Sequence, residues 1–237
     1  VVAFAEPPAA VATPFVPELE TGDALPVTTL VDQHGRHFTL GGSAAGATIV
    51  TFFYTRCRDA NECPLTSAKF ARLQTTLSRV PTRLVEITID PEHDTVPILA
   101  RYATTFGANA DRWRVATGAP SAIAMLERRM GVTVSRSANG DFVHEDAVVV
   151  VDPNGRIADT ISGDTWSPAD VVTIASVAEG RRTGAFARLR FALTRGIAAA
   201  CGGATGLHGI SLATAGGVFT IALMGFTILM RRMVGAL

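Results

Sequence analysis

Residues 47–64 read Ala47-Thr-Ile-Val-Thr-Phe-Phe-Tyr-Thr-Arg-Cys57-Arg-Asp-Ala-Asn-Glu-Cys63-Pro64. The first eight are almost wholly apolar, β-branched or aromatic, as in a central strand covered on both faces. Pro64 suits the first position of a helix, and Leu65, Ala68, Leu73 and Leu77 continue at helical spacing towards Val80. The predicted unit is a strand that hands over to a helix through a loop carrying two cysteines. In open α/β sheets, reactive groups gather at the carboxyl ends of strands, where this loop lies. Cys63 then falls at or beside the helix N-cap, where unpaired amides and the helix dipole favour an anionic sulfur. A thiol with a lowered pKa serves disulfide exchange and metal ligation alike. Five residues separate the cysteines, and a plain structural disulfide accounts for that spacing equally well.

Outward from this unit, the pattern continues as strands and helices. Upstream, Val27 to Asp32, a Gln33-His-Gly-Arg turn and His37 to Leu40 predict a β-hairpin. Downstream, Arg83 to Asp90 reads as a strand. Helices are predicted from Asp94 to Phe106, opened by Asp94 or Thr95, and from Pro120 to Met130. Ala147 to Asp152, the turn Pro153-Asn-Gly, and Arg156 to Ile161 form a strand–turn–strand unit, followed by a helix from Ser167 or Pro168 to about Glu179. This order predicts an α/β, thioredoxin-like fold over residues 26–180 with an N-terminal β-hairpin. Its first two core strands are expected to be parallel and its late hairpin antiparallel.

The flanks differ in composition. Residues 1–25 hold four prolines and no sustained period, and read as an extended linker. Ala3-Phe4-Ala5 has the small-x-small form of a signal-peptidase site, and an arbitrary alanine-rich tail accounts for it equally well. Residues 181–208 form an arginine-rich juxtamembrane segment, with five arginines between Arg181 and Arg195. Ile210 to Met230 is 21 residues without a charge, long enough to cross the roughly 30 Å hydrocarbon core. A transmembrane helix is therefore predicted over residues 209–231. Arg231 and Arg232 follow, so residues 232–237 are expected on the cytoplasmic side and the main domain outside. The resulting localisation is a bacterial cytoplasmic membrane, with one C-terminal span and a periplasmic or extracytoplasmic domain.

Composition narrows the function classes. Formal net charge is zero, which removes a global electrostatic case for nucleic acid. Three cysteines are too few for a disulfide scaffold or a cysteine-rich zinc module. The sequence carries no nucleotide-binding glycine loop, serine-nucleophile elbow or zinc-protease helix motif.

His144, in Asp141-Phe-Val-His144-Glu-Asp, precedes the late apolar strand. In a thioredoxin-type layout the start of that strand approaches the cysteine loop. One imidazole and two thiolates make a three-coordinate set in which sulfur selects copper(I) and nitrogen admits copper(II). A loop histidine taken alone is more often solvated.

The motifs together resemble the SCO/SenC family of copper chaperones over roughly residues 25–180. They are LVDQHGRHFTL, TFFYTRC followed by CP, TIDPEHDT, YATTFG, WRVATG, FVHEDAVVVVDPNGRI and ISGDTW. The resemblance implies a thioredoxin fold with a copper ion, Cu(I) or Cu(II), held by Cys57, Cys63 and His144. It also implies copper donation, or cysteine reduction, at the dinuclear copper site of cytochrome c oxidase. The partners implied are that copper-bearing subunit or another respiratory complex. The family's usual loop has three residues between the cysteines, and a subgroup of similar bacterial sequences shares the longer form seen here. Two extra residues add only a few tenths of a kcal/mol to the entropy of closing the loop.

Asp90 and Asp94 resemble the acidic segment that the family places near the metal loop. Asp90 is a candidate for orienting the site, whereas capping the next helix is the preferred reading of Asp94. His34, His37 and His93 read as surface side chains, and Trp113 and Trp166 as core or rim aromatics. Cys201 and His208 precede the span and read as ordinary juxtamembrane residues rather than a metal relay. Ala213 and Gly217 form a small-residue pair suited to helix packing. Two alternatives to the metallochaperone remain: a thiol–disulfide oxidoreductase cycling Cys57 and Cys63, and an accessory subunit of a respiratory complex with a structural disulfide.

Overall fold

The computed structural model describes residues 17–137, 141–163 and 165–180. The predicted N-terminal hairpin is β1 (Thr28–Asp32) and β2 (His37–Leu40), paired antiparallel from Thr28 opposite Leu40 to Val31 opposite His37. Asp32 fixes its turn by accepting the backbone N–H groups of His34 and Arg36 at 2.9 and 3.0 Å. Gly35 occupies the turn at a φ of +75°, which side-chain-bearing residues rarely adopt.

The deciding stretch forms β3 (Thr48–Phe53), buried along its whole length, and α1 (Cys63–Thr76). The chain continues as β4 (Arg83–Thr88), α2 (Val96–Phe106), β5 (Trp113–Thr117) and α3 (Pro120–Arg129). Then come β6 (Val134–Arg136), β7 (Phe142–His144), β8 (Ala147–Val151), β9 (Ile157–Ser162) and α4 (Pro168–Ala178). One seven-stranded sheet runs β2-β1-β5-β4-β3-β8-β9. As expected, β3 pairs parallel with β4 and β8 pairs antiparallel with β9. The mixed α/β arrangement is thioredoxin-like.

Three local expectations are corrected. Helix α1 ends at Thr76 rather than Val80: Leu77 is its C-cap, and the Ser78 and Val80 N–H groups bond to the Thr75 and Leu77 carbonyls three residues back, as in a turn. Helix α2 starts at Val96 with Thr95 as N-cap, so Asp94 does not cap it. Strand β5 was not anticipated: Arg114 interrupts its apolar pattern, and the guanidinium lies 4.4 Å over the Phe38 ring.

Helix α1 packs on α2 and α4, α4 covers β8 and β9, and α2 covers β5 and β1. Phe70 anchors this layer between Trp113 and Trp166, at 6.0 and 6.2 Å between ring centroids. Both tryptophans are core residues. A polar cluster ties the elements beneath the cysteine loop. Glu86 of β4 accepts from Ser67 Oγ at 2.9 Å and from Trp113 Nε1 at 3.0 Å, and Ser67 Oγ lies 2.7 Å from the Tyr102 hydroxyl. Burial pushes the Glu86 carboxyl up to about 8.

Residues 17–25 lie along the domain, with a turn at Thr21 and Gly22. The Leu19 N–H reaches the Arg129 carbonyl at 2.7 Å, and Leu25, itself buried, reaches Gly155 at 2.9 Å. Packing therefore begins upstream of the predicted boundary at 26. Among the described residues no helix is long and apolar enough to cross a membrane. The span predicted over 209–231, the segments 181–208 and 232–237, and Cys201 and His208 all lie outside the described residues.

Candidate metal centre

Strand β3 ends at Phe53, and the chain passes through Tyr54 into the cysteine loop. The Cys57 N–H turns back to the Tyr54 carbonyl at 3.3 Å, and Glu62 is the N-cap of α1. Cys63 is thus the first helical residue, beside the N-cap as expected, with Pro64 behind it. Both thiols are free, Cys57 half-buried and Cys63 buried.

The two sulfurs are inequivalent, and the direction corrects the helix-terminus expectation for Cys63. A hydrogen bond from the Cys63 thiol is the main influence lowering Cys57 from 9.0 to about 7. Burial opposes it, and the backbone N–H groups of Cys63 and Asp59 assist. Cys63 is pushed up, first because it is the donor to Cys57 and second because it is buried. The first N–H of α1, that of Cys63, therefore acts on Cys57, together with the loop N–H of Asp59. Cys57 Sγ also lies 3.6 Å from Glu62 Oε2 and 3.8 Å from the Asp59 carbonyl oxygen.

The fold brings the distant imidazole to this pair. Nε2 of His144 is 3.5 Å from Sγ of Cys63, across 81 positions of sequence. The imidazole is only 2 % exposed. Its Nδ1 lies 3.3 Å from the Glu145 carbonyl and 3.7 Å from Asp146 Oδ1. These acceptors favour a proton on Nδ1, which leaves the Nε2 lone pair facing the sulfur.

The acidic segment after β4 is built into the loop. Asp90 is buried and takes Arg56 Nη2 at 2.5 Å, so it reaches the neighbourhood of Cys57 through a guanidinium. Asp94, also buried, accepts the Thr55 backbone N–H at 3.0 Å and the Thr55 hydroxyl at 2.5 Å, together with the Thr88 hydroxyl. The sequence reading missed Arg56, Thr55, Tyr54, Glu62 and Asp146 as members of this site. Their adjacency to the cysteines and to His144 was the available signal. His34 and His37 are exposed on the hairpin turn, and His93 is half-buried.

The sequence profile of the SCO1/SenC family matches residues 22–179. The chain belongs to the SCO1/SenC family. The SCO1 protein homolog of Bacillus subtilis (strain 168) is 23% identical over 147 residues, 60% of this chain and 75% of that protein. The structure of BsSco, a member of the Sco family of cytochrome c oxidase assembly proteins with a disulfide switch, is similar at a TM-score of 0.59 and 21% identity. It covers 69% of this chain and 98% of that one. Arabidopsis thaliana ScoI with copper bound is similar at a TM-score of 0.53 and 22% identity, covering 68% and 97% of the two chains.

The donor set of this SCO1/SenC domain suits a soft metal. A nitrogen and a sulfur bound to one ion at about 2.0 and 2.3 Å stand roughly 3.5–3.7 Å apart for tetrahedral to trigonal angles. The 3.5 Å between Cys63 Sγ and His144 Nε2 meets that condition without movement. Among the described residues, no group of three or more His, Cys, Asp and Glu side chains already encloses a common point for a metal ion. Cys57 already takes the hydrogen bond of the Cys63 thiol, and is the donor that has still to close on His144, giving up Glu62 and Asp59. It sits in the more exposed part of the loop, where a rotamer change meets little packing.

Proposed function

We propose that this chain is a membrane-anchored copper chaperone whose domain faces an extracytoplasmic compartment and serves the dinuclear copper site of cytochrome c oxidase. Copper is its cargo, in the cuprous or cupric state, held by Cys57, Cys63 and His144. The observation that carries this reading is the 3.5 Å approach of His144 Nε2 to Cys63 Sγ. Two thiolates suit copper(I), and the added imidazole widens the site to copper(II). Asp90 supports the loop through Arg56. The uncharged stretch from Ile210 to Met230, with Arg231 and Arg232 after it, supports the anchor and its orientation.

Copper titration of the reduced chain tests the reading, with Cys57→Ser, Cys63→Ser and His144→Ala as variants. Each is expected to weaken copper binding at least about tenfold. Unchanged binding in all three overturns the ligand assignment.

A second reading, thiol–disulfide exchange, draws on the inequality of the sulfurs. Cys57 lies near neutrality while Cys63 is raised, which is the division between an attacking and a resolving thiol. Turnover of a disulfide substrate in the presence of a copper(I) chelator favours this reading. Loss of turnover under the chelator favours the chaperone.

A further inference from the structure

The strands that carry His144 lie outside the main sheet. β6 and β7 pair with each other, Val134 opposite His144 and Arg136 opposite Phe142, as a separate two-stranded ribbon. Hydrogen bonds of the seven-stranded sheet therefore do not fix where the imidazole goes. Several contacts stiffen the ribbon from within. The Arg136 guanidinium lies 4.2 Å over Phe142, and the Glu145 N–H reaches the Thr133 carbonyl at 3.2 Å. Neither contact ties the ribbon to the cysteine loop.

Tyr54 does. It is the first residue after β3 and is 4% exposed. Its ring meets Phe142 edge-on at 5.3 Å and the His144 ring at 6.1 Å, with planes 80° apart in the second case. Its hydroxyl donates to the Phe142 carbonyl at 3.3 Å. Its backbone serves the other two donors. The carbonyl accepts the Cys57 N–H at 3.3 Å, and the Tyr54 N–H is hydrogen-bonded to the Cys63 sulfur. One residue thus touches every candidate ligand, and three of its contacts reach the ribbon.

We infer that Tyr54 is the positioning residue that seats His144 against Cys63, holding the β6–β7 ribbon with its ring and hydroxyl while its backbone braces both cysteines. The consequence for copper rests on the chaperone reading, whereas the seating belongs to the metal-free protein. With Tyr54 shortened, the ribbon loses its anchor on the core and the imidazole swings outward. The two sulfurs stay where the loop and α1 hold them. Copper(II), which relies on nitrogen, then suffers more than copper(I), which the thiolates hold.

The test uses the full chain with Tyr54→Leu and Tyr54→Phe. In the metal-free state, diethyl pyrocarbonate modification of His144 is mapped by mass spectrometry, with the exposed His34 and His37 as internal references. The parent is expected to modify His144 about tenfold more slowly than His34, because its ring is buried. Tyr54→Leu is expected to raise that relative rate about fivefold and Tyr54→Phe about twofold, with unchanged fluorescence of the buried Trp113 and Trp166 as the sign of an intact core. With copper added, Tyr54→Leu is expected to lose about tenfold in copper(II) affinity and less than about threefold in copper(I) affinity. Continued protection of His144 in folded Tyr54→Leu overturns the inference. If that variant does not fold, Tyr54→Phe decides, and an unchanged His144 rate overturns it. A parent chain that takes no copper defeats the chaperone reading and leaves the modification result to judge Tyr54.

Discussion

Asp94 grips Thr55 at two points, taking its backbone N–H at 3.0 Å and its hydroxyl at 2.5 Å. Thr55 stands two residues before Cys57, so the acidic segment after β4 holds the start of the cysteine loop directly. The Thr88 hydroxyl binds the same carboxylate from β4, which makes Asp94 the joint between the parallel pair β3–β4 and the loop. Asp94→Ala leaves a buried N–H and two hydroxyls without their acceptor. Each such loss costs about 1–3 kcal/mol, and relaxation of the loop keeps the total at about 3 kcal/mol. Asp94→Asn, which retains one acceptor oxygen, is expected to lose about half of that. Urea denaturation of both variants checks the ordering, and a cost below about 1 kcal/mol for Asp94→Ala refutes the joint.

The inequality of the thiols gives a reactivity order. Cys57, at about 7, is a thiolate over much of the neutral range, whereas Cys63 is pushed up by its bond to Cys57 and by burial. Iodoacetamide is expected to label Cys57 first, with a rate that rises through a midpoint near pH 7. Cys63→Ala removes the principal hydrogen bond to Cys57 and is expected to move that midpoint upward by about one pH unit. Peptide mapping of the labelled chain separates both sites from Cys201. Faster labelling of Cys63, or a Cys57 midpoint above about 8.5, contradicts the assignment.

The sequence made parts of this site legible and hid others. The apolar run 47–54 and Pro64 were enough to place Cys57 and Cys63 between a strand and a helix, because both signals are local. The meeting of His144 with Cys63 was readable only through the expected topology, since nothing local links positions 81 residues apart. The β6–β7 ribbon escaped because three-residue strands carry too little alternation to register as a pattern. Asp94 was read as a cap because an acidic residue just before a helix usually is one; its use by Thr55 and Thr88 appears only in three dimensions. The direction at Cys63 is opposite to the one expected because the helix terminus alone leaves out its bond to Cys57 and its burial. Together these outweigh the terminus.

Glu86 makes the stability of the domain depend on pH. Its carboxyl is fully buried, and burial pushes its pKa from 4.5 to about 8. The folded protein therefore holds a proton there that the unfolded chain has released above about pH 4.5. This contribution is complete below about pH 4.5, falls as pH rises, and is gone above about pH 8, a change on the order of a few kcal/mol. Glu86→Gln stays neutral throughout. Its amide oxygen can take the Trp113 N–H while its NH2 donates to Ser67. The variant is expected to flatten the slope between pH 5 and 8 and to be more stable than the parent at about pH 8.5. Urea midpoints at pH 5, 6.5 and 8.5 provide the check; an equal slope in both proteins rules Glu86 out as its source.

Asp146 supplies a graded test of how the imidazole is oriented. Its Oδ1 lies 3.7 Å from His144 Nδ1, and the Glu145 carbonyl stands closer to the same nitrogen at 3.3 Å. Partners of this kind fix the tautomer of a metal-binding histidine, and their loss typically costs about 10–100-fold in metal affinity. Here the backbone carbonyl survives any side-chain change, so the Nδ1 proton keeps an acceptor. Asp146→Asn is therefore expected to fall at the low end, about tenfold in copper(II) affinity, with copper(I) nearly unchanged. The carboxylate charge also helps to keep the Cys63 proton in place, so the same variant is expected to ease Cys63 alkylation slightly. Competition titrations with copper(II) and copper(I) chelators measure the split. An equal loss for both ions shows that Asp146 acts on the sulfurs or on the fold, and not through His144.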